Sequence, residues 1–158
     1  MNKKFTIKVG VLVVNNNRLL LIKERNSHTG EFCWNIVKGS PDFQDASIRD
    51  TARREAVEEA GLRIKDIQFF SALELRRGER TIIQINFIAK SIREKPKISD
   101  SLEQKERGEE IVEARFFSRK ELSSLKKEDF YGKRALQITR EWASLNKKGK
   151  DYFLSLKD

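Results

Sequence analysis

Hydrophobic positions along the chain change their period several times, and each change marks an element. Phe5, Ile7 and Val9 alternate with polar residues, then run into the apolar stretch VLVV ending at Val14. Alternation by two is the mark of a strand with one face buried; a continuous run suits a strand covered on both faces. Asn15-Asn16-Asn17 supplies a turn. Arg18 to Glu24, with its run LLLI, follows as a second strand, so the pair predicts a hairpin. Lys23, Glu24 and Arg25 close that strand, Asn26 to Gly30 form a loop, and Phe32 to Val37 is a short third strand. Strand character returns from Arg63 to Leu75, breaks at the turn Arg76 to Arg80, and is clearest from Thr81 to Lys90. There Ile83, Ile85, Phe87 and Ala89 share one side, and Gln84 and Asn86 the other.

Between these strands the period shifts to that of a helix. Ser47 to Leu62 reads SIRDTARREAVEEAGL, with no Pro or Gly before Gly61. Ser47 is an N-cap candidate that Asp50 can answer, and Gly61 stands where a helix ends in a left-handed turn. At about 100° per residue, Ile48, Ala52, Ala56 and Ala60 fall on one narrow face, small enough to approach a sheet closely. Glu55 and Glu59 lie at the edge of that face, and Arg54 and Glu58 form an i, i+4 pair further round. Two carboxylates on the buried side of a helix repel, and a divalent cation is the natural compensation. An ordinary charged helix with solvated side chains fits the spacing as well.

The C-terminal third is less regular. Ser91 to Glu110 is polar and reads as a long mobile loop. Ile111 to Phe117 is a strand, Ser118-x-x-Glu121 is a capping box opening a short helix, and Asp129 to Asn146 reads as a terminal helix. Near the end, Tyr152, Phe153, Leu154 and Leu156 are expected to dock or to mediate self-association.

Composition narrows the class. The chain has 158 residues, 36% charged and 38% hydrophobic, which suits one domain, residues 1–158, with a heavily charged surface. No apolar run approaches the roughly 20 residues that span a bilayer, and the basic start MNKKFTIKVG lacks a signal-type apolar region. We therefore expect a cytoplasmic protein with no membrane partner. A single Cys33 excludes an internal disulfide, and one Cys with one His makes the usual zinc site implausible. A net charge of +9 favours anionic partners: nucleotides, polyphosphates or RNA. Arg25 and its neighbours at the strand end are either phosphate-facing or a solvated strand end. The acidic stretch Arg54 to Glu59 in a basic chain fits a metal site visited by a phosphorylated ligand.

Arg54 to Leu62, REAVEEAGL, resembles the second half of the Nudix box, Gly-x5-Glu-x7-Arg-Glu-U-x-Glu-Glu-x-Gly-U, where U is aliphatic or small. Arg54, Glu55, Glu58, Glu59 and Gly61 match its five specified residues, and Ala56 and Leu62 its two U positions. The first half departs from it. Gly39 lies one residue further from Arg54 than the family spacing, and Ala46 stands where the box Glu belongs, with Asp45 just before it. Either Asp45 substitutes from a shifted loop, or that role is lost.

The resemblance implies an α/β fold, an α/β/α sandwich with a mixed sheet. It implies hydrolysis of a pyrophosphate bond in a nucleoside diphosphate linked to another moiety, with Mg²⁺ (or Mn²⁺) as cofactor. Glu55 and Glu59 would ligate the cation, with Glu58 as a further ligand or water partner, and Arg54 would hold the constellation. Lys38 and Gly39 would shape the approach loop, and Lys38 would meet a phosphate. A late acid would complete the metal site or act as general base: Glu110 first, then Glu109, then Glu113. Glu74, Arg76, Gln84 and Asn86 become candidate specificity positions. Two alternatives stand beside this: a catalytically weak or inactive nucleotide-binding protein, motivated by Ala46 and the inserted residue, and a hydrolase of RNA 5′ ends, motivated by the positive charge. Either a monomer or a homodimer is compatible with the sequence.

Overall fold

A computed structural model describes residues 4–93 and 95–145. The expected role of Tyr152 to Leu156 lies outside the described residues. Strands β1 (Lys4–Asn15) and β2 (Arg18–Arg25) form the predicted hairpin, with Val14 opposite Leu19. The stretch read as one strand from Phe32 divides into β3 (Phe32–Asn35), paired with β2, and β4 (Val37–Gly39), paired with β1. The division falls at Ile36, whose N–H is taken by the Asn35 side chain at 2.9 Å instead of a neighbouring strand. Helix α1 (Ile48–Ala60) follows, then β5 (Ile64–Arg77) and β6 (Arg80–Ser91).

The region expected to be a mobile loop contains a helix, α2 (Ser101–Glu106), capped by Asp100, whose side chain accepts from the Leu102 and Glu103 N–H groups. Strand β7 (Ile111–Phe117) is where the sequence places it. The capping box of Ser118 and Glu121 opens α3 (Arg119–Ser124). A short 3-10 turn, Lys127–Asp129, precedes α4 (Lys133–Leu145), which starts only after Gly132.

The sheet is mixed and seven-stranded, in the order β3-β2-β1-β6-β5, with β4 on β1 and β7 on β2. β1 and β6 run parallel in register from Lys4 opposite Arg80 to Val14 opposite Lys90. Both faces are covered, which is why VLVV and LLLI are unbroken. Val9, Val11, Val13, Leu20 and Ile22 pack against Ala52, Ala56 and Ala60 of α1. Leu12, Leu19 and Leu21 face the other way, onto Leu122 of α3 and Ala135, Ile138 and Trp142 of α4. The α/β/α sandwich is thus in place, with α1 carrying Glu55 and Glu59 toward the sheet. Among the described residues, no helix is long and apolar enough to cross a membrane.

Candidate active site

Helix α1 presents its acids because both of its ends are fixed. Ser47 caps it by accepting from the Asp50 N–H at 3.2 Å, while the Asp50 carboxylate takes the Ser47 hydroxyl rather than the Ser47 N–H of a full capping box. Gly61 closes it at φ 63, in the left-handed region, giving its N–H to Val57. Small Ala side chains bring the helix close to the sheet, and Glu55 and Glu59 on the same side are carried inward with them. They are 5% and 4% exposed.

Three acids meet there. Carboxylate oxygens of Glu55, Glu59 and Glu109 lie within 4.8 Å of one another. Burial pushes the Glu59 carboxyl well above the usual range, against the pull of Lys38. Burial also raises Glu55, against the pull of Arg54. Acids this close together repel even with Arg54, Lys38 and Arg107 beside them, and a set of carboxylate oxygens suits a hard divalent cation. The residues present therefore fit the cation that the sequence implies.

The lead-in strand is shaped around this group. Glu59 accepts the Lys38 backbone N–H at 3.0 Å. A Cβ built on Gly39 would fall 1.8 Å from Glu55 Oε1, so only glycine leaves that carboxylate its place. The Lys38 ammonium donates to Glu24 at 2.8 Å and sits 5.0 Å from the centre of the Tyr131 ring. Burial works against its charge, but Glu24 and Glu59 outweigh that and hold its pKa above the ordinary value.

Arg54 binds the constellation together. It donates to Glu55 at 2.7 Å, to Glu58 at 3.0 Å, to the Ser40 carbonyl at 2.9 Å, and to Asp45 through Nε at 3.1 Å and a terminal nitrogen at 2.9 Å. Asp45 thus brings a carboxylate to Arg54, while Ala46 is exposed.

The late acids are sorted by their partners. Glu109, the second choice on sequence, is the one that joins Glu55 and Glu59. Glu110 instead pairs with Arg25 at 2.6 Å, and Arg25 also donates to the Gly30 carbonyl and stacks on Phe32. Arg25 and Glu110 therefore engage each other outside the three-acid group. Glu113 pairs with Arg115 on β7. Glu58 touches Arg54 and is not one of the three clustered acids. Gln84 and Asn86 are buried and spend their amides on each other at 2.8 Å, on Arg134 and on Ser71. Glu74 and Arg76 form an exposed ion pair with each other.

Sequence reasoning missed Lys8 and Arg134. Lys8 donates to the Ser40 hydroxyl at 2.7 Å. Burial and then the Lys38 charge lower its pKa, with Glu55, Glu59 and Arg134 also in its field. The strand alternation Phe5-Ile7-Val9 marks Lys8 only as polar, and Arg134 lies in a helix far along the chain. Neither carries a local signal.

The comparisons agree with this architecture. The NUDIX domain matches residues 4–137. A NUDIX hydrolase from Nitrosomonas europaea superposes with TM-score 0.71 at 20% identity, covering 98% of this chain and 97% of its own. A MutT NUDIX hydrolase from Burkholderia pseudomallei gives 0.66 at 18%, covering 88% and 98%. The MutT protein from Methanosarcina mazei Go1 gives 0.64 at 22%, covering 94% and 99%. No curated protein gives a significant match. With residues 4–137 matched, most of its length, the chain belongs to the NUDIX family.

Proposed function

We propose that the protein hydrolyses a pyrophosphate bond in a nucleoside diphosphate linked to another moiety. The observation that carries this is the meeting of Glu55, Glu59 and Glu109 within 4.8 Å, two of them buried. These three would hold the cation, Mg²⁺ or Mn²⁺. Once bound, the cation supplies neutralisation of the pyrophosphate charge and polarisation of its phosphorus–oxygen bonds.

The remaining work falls to the chain. Arg54 keeps Glu55 and Glu58 in place, and the Lys38 N–H orients Glu59. Lys8, Lys38 and Arg134 bring positive charge to the rim of the acids and bind the substrate phosphates there. Glu58 gives one carboxylate oxygen to Arg54 and accepts the proton of the attacking water at the other. Water adds to phosphorus, the bridging phosphorus–oxygen bond breaks, and two phosphorylated products leave.

The binding-only alternative rested on Ala46 and on the extra residue between Gly39 and Arg54. Asp45 now supplies a carboxylate to Arg54, which weighs against that reading. The RNA reading keeps the support of the +9 charge. Release of phosphate or nucleoside monophosphate from dNTPs, ADP-ribose, dinucleoside polyphosphates, NADH and 5′-triphosphorylated RNA tests the proposal. Turnover of one class with Mg²⁺ or Mn²⁺ is expected. No turnover, with a nucleotide still raising thermal stability, would return the binding-only reading.

A further inference from the structure

Glu109 reaches the acid group from outside α1, on a segment that leaves β6 and re-enters the sheet only at Ile111. That segment is docked on the last turn of α1, where helix carbonyls lack partners within the helix. Lys97 N–H donates to the Ala60 carbonyl at 2.8 Å. The Ser99 hydroxyl and the Arg107 guanidinium donate to the Glu58 carbonyl at 2.7 and 3.1 Å. Arg107 also holds the Glu109 carboxylate at 2.9 Å.

One neutral side chain inside the segment does what a neighbouring strand would do. Gln104 is 7% exposed. Its amide donates to the Ser99 carbonyl at 2.9 Å and the Ile111 carbonyl at 3.0 Å, and accepts the Ile111 N–H at 2.6 Å. The backbone carbonyl at 104, which any residue there would supply, accepts the Glu109 N–H at 2.8 Å. The Gln104 side chain therefore ties the backbone at Ser99 to that at Ile111, two residues beyond Glu109, without touching a carboxylate of the site.

Resting on the reading of Glu55, Glu59 and Glu109 as the cation's ligands, we infer that Gln104 is a positioning residue, a surrogate strand partner that sets where the Glu109 carboxylate stands. Arg107 assists, but its charge adds a repulsion toward any bound cation. Gln104 acts by geometry alone. Partners behind a ligand typically govern about 10- to 100-fold of metal affinity.

The test is Mn²⁺ binding by titration calorimetry on the full chain, for wild type, Glu109→Gln, Gln104→Leu and the double variant, with thermal melts to verify folding. Gln104→Leu is expected to raise the Mn²⁺ Kd about tenfold. The double variant is expected to bind no more weakly than Glu109→Gln alone, because both changes act through one carboxylate. If the double variant loses the product of the two single effects, Gln104 acts independently and the inference fails. If Glu109→Gln weakens binding while Gln104→Leu leaves it unchanged, the role of Gln104 fails and the reading of the site stands. If Glu109→Gln leaves affinity unchanged, both fail. Should Gln104→Leu not fold, Gln104→Glu serves in the same comparison: it keeps an acceptor for the Ile111 N–H and loses both donors.

Discussion

Asp45 grips Arg54 with both of its carboxylate oxygens, at 3.1 and 2.9 Å. A guanidinium has five N–H groups, and those of Arg54 are directed to Asp45 twice, Glu55, Glu58 and the Ser40 carbonyl. The arginine is therefore saturated. Restoring the box acid with Ala46→Glu adds an exposed carboxylate with no donor left to take it, and activity should change less than about threefold. Asp45→Ala should cost about 1.5–3 kcal/mol, the usual range for hydrogen bonds to a charged group. Urea denaturation of both variants, beside turnover assays, checks the pair.

The same contact has a pH signature. Hydrogen bonds from Arg54, then from the Asp42 N–H, hold the Asp45 carboxyl well below the usual carboxylate range. A carboxyl depressed on folding stabilises the protein above its unfolded pKa of about 3.9 and loses that effect as pH falls further. The stability gap between wild type and Asp45→Asn should be constant above about pH 5 and should narrow below about pH 4. A gap that widens on acidification would reverse the sign and refute the pairing.

Gly39→Ala should damage the site more than the fold. The added methyl meets Glu55 Oε1 at 1.8 Å, and the carboxylate must move. Mn²⁺ affinity is expected to fall about tenfold or more. The thermal midpoint should fall less than in a core variant such as Ile138→Ala, because Gly39 is half-buried.

Gly61 links the helix end to the segment that carries Glu109. Its φ of 63 is left-handed, and an added Cβ would lie 2.5 Å from the Lys97 carbonyl oxygen. Gly61→Ala should cost roughly 1–2 kcal/mol for the backbone alone. It should also loosen residues 97–109. Hydrogen exchange should show faster amides at Lys97 and Glu109 than in wild type.

Ile138→Ala supplies the opposite case. Ile138 is fully buried between α4 and the sheet, on the face away from α1. Its truncation should cost about 2–5 kcal/mol. Mn²⁺ affinity of the folded protein should stay within about twofold, since additivity holds for distant sites.

Helix α1 was legible because its signals are local: a Ser cap, an unbroken run, a terminal Gly, and acids spaced to fall beside three alanines. The sandwich followed from strands whose apolar runs required cover on both faces. Glu109 over Glu110 was not legible, because the choice depends on where Gln104 and Arg107 hold the segment, and those partners are chosen by tertiary contacts. The same contacts order residues that composition alone marks as a loop. The break at Ile36 was hidden for a related reason. Phe32 to Val37 has strand character throughout, and only the identity of the two partner strands divides it. Lys8, in the field of Glu55 and Glu59, and Arg134, which donates to Gln84, stand at positions with no motif.

The most direct test of the central claim is cation-dependent turnover in Glu59→Gln, measured beside Glu113→Gln, an exposed acid on β7. With the best substrate of the panel and Mg²⁺ or Mn²⁺, Glu59→Gln should lose about a hundredfold or more, the scale of several kcal/mol that a bound cation supplies. Glu113→Gln should match wild type. Turnover that survives in Glu59→Gln would contradict the account and move the chemistry away from the three buried and half-buried acids.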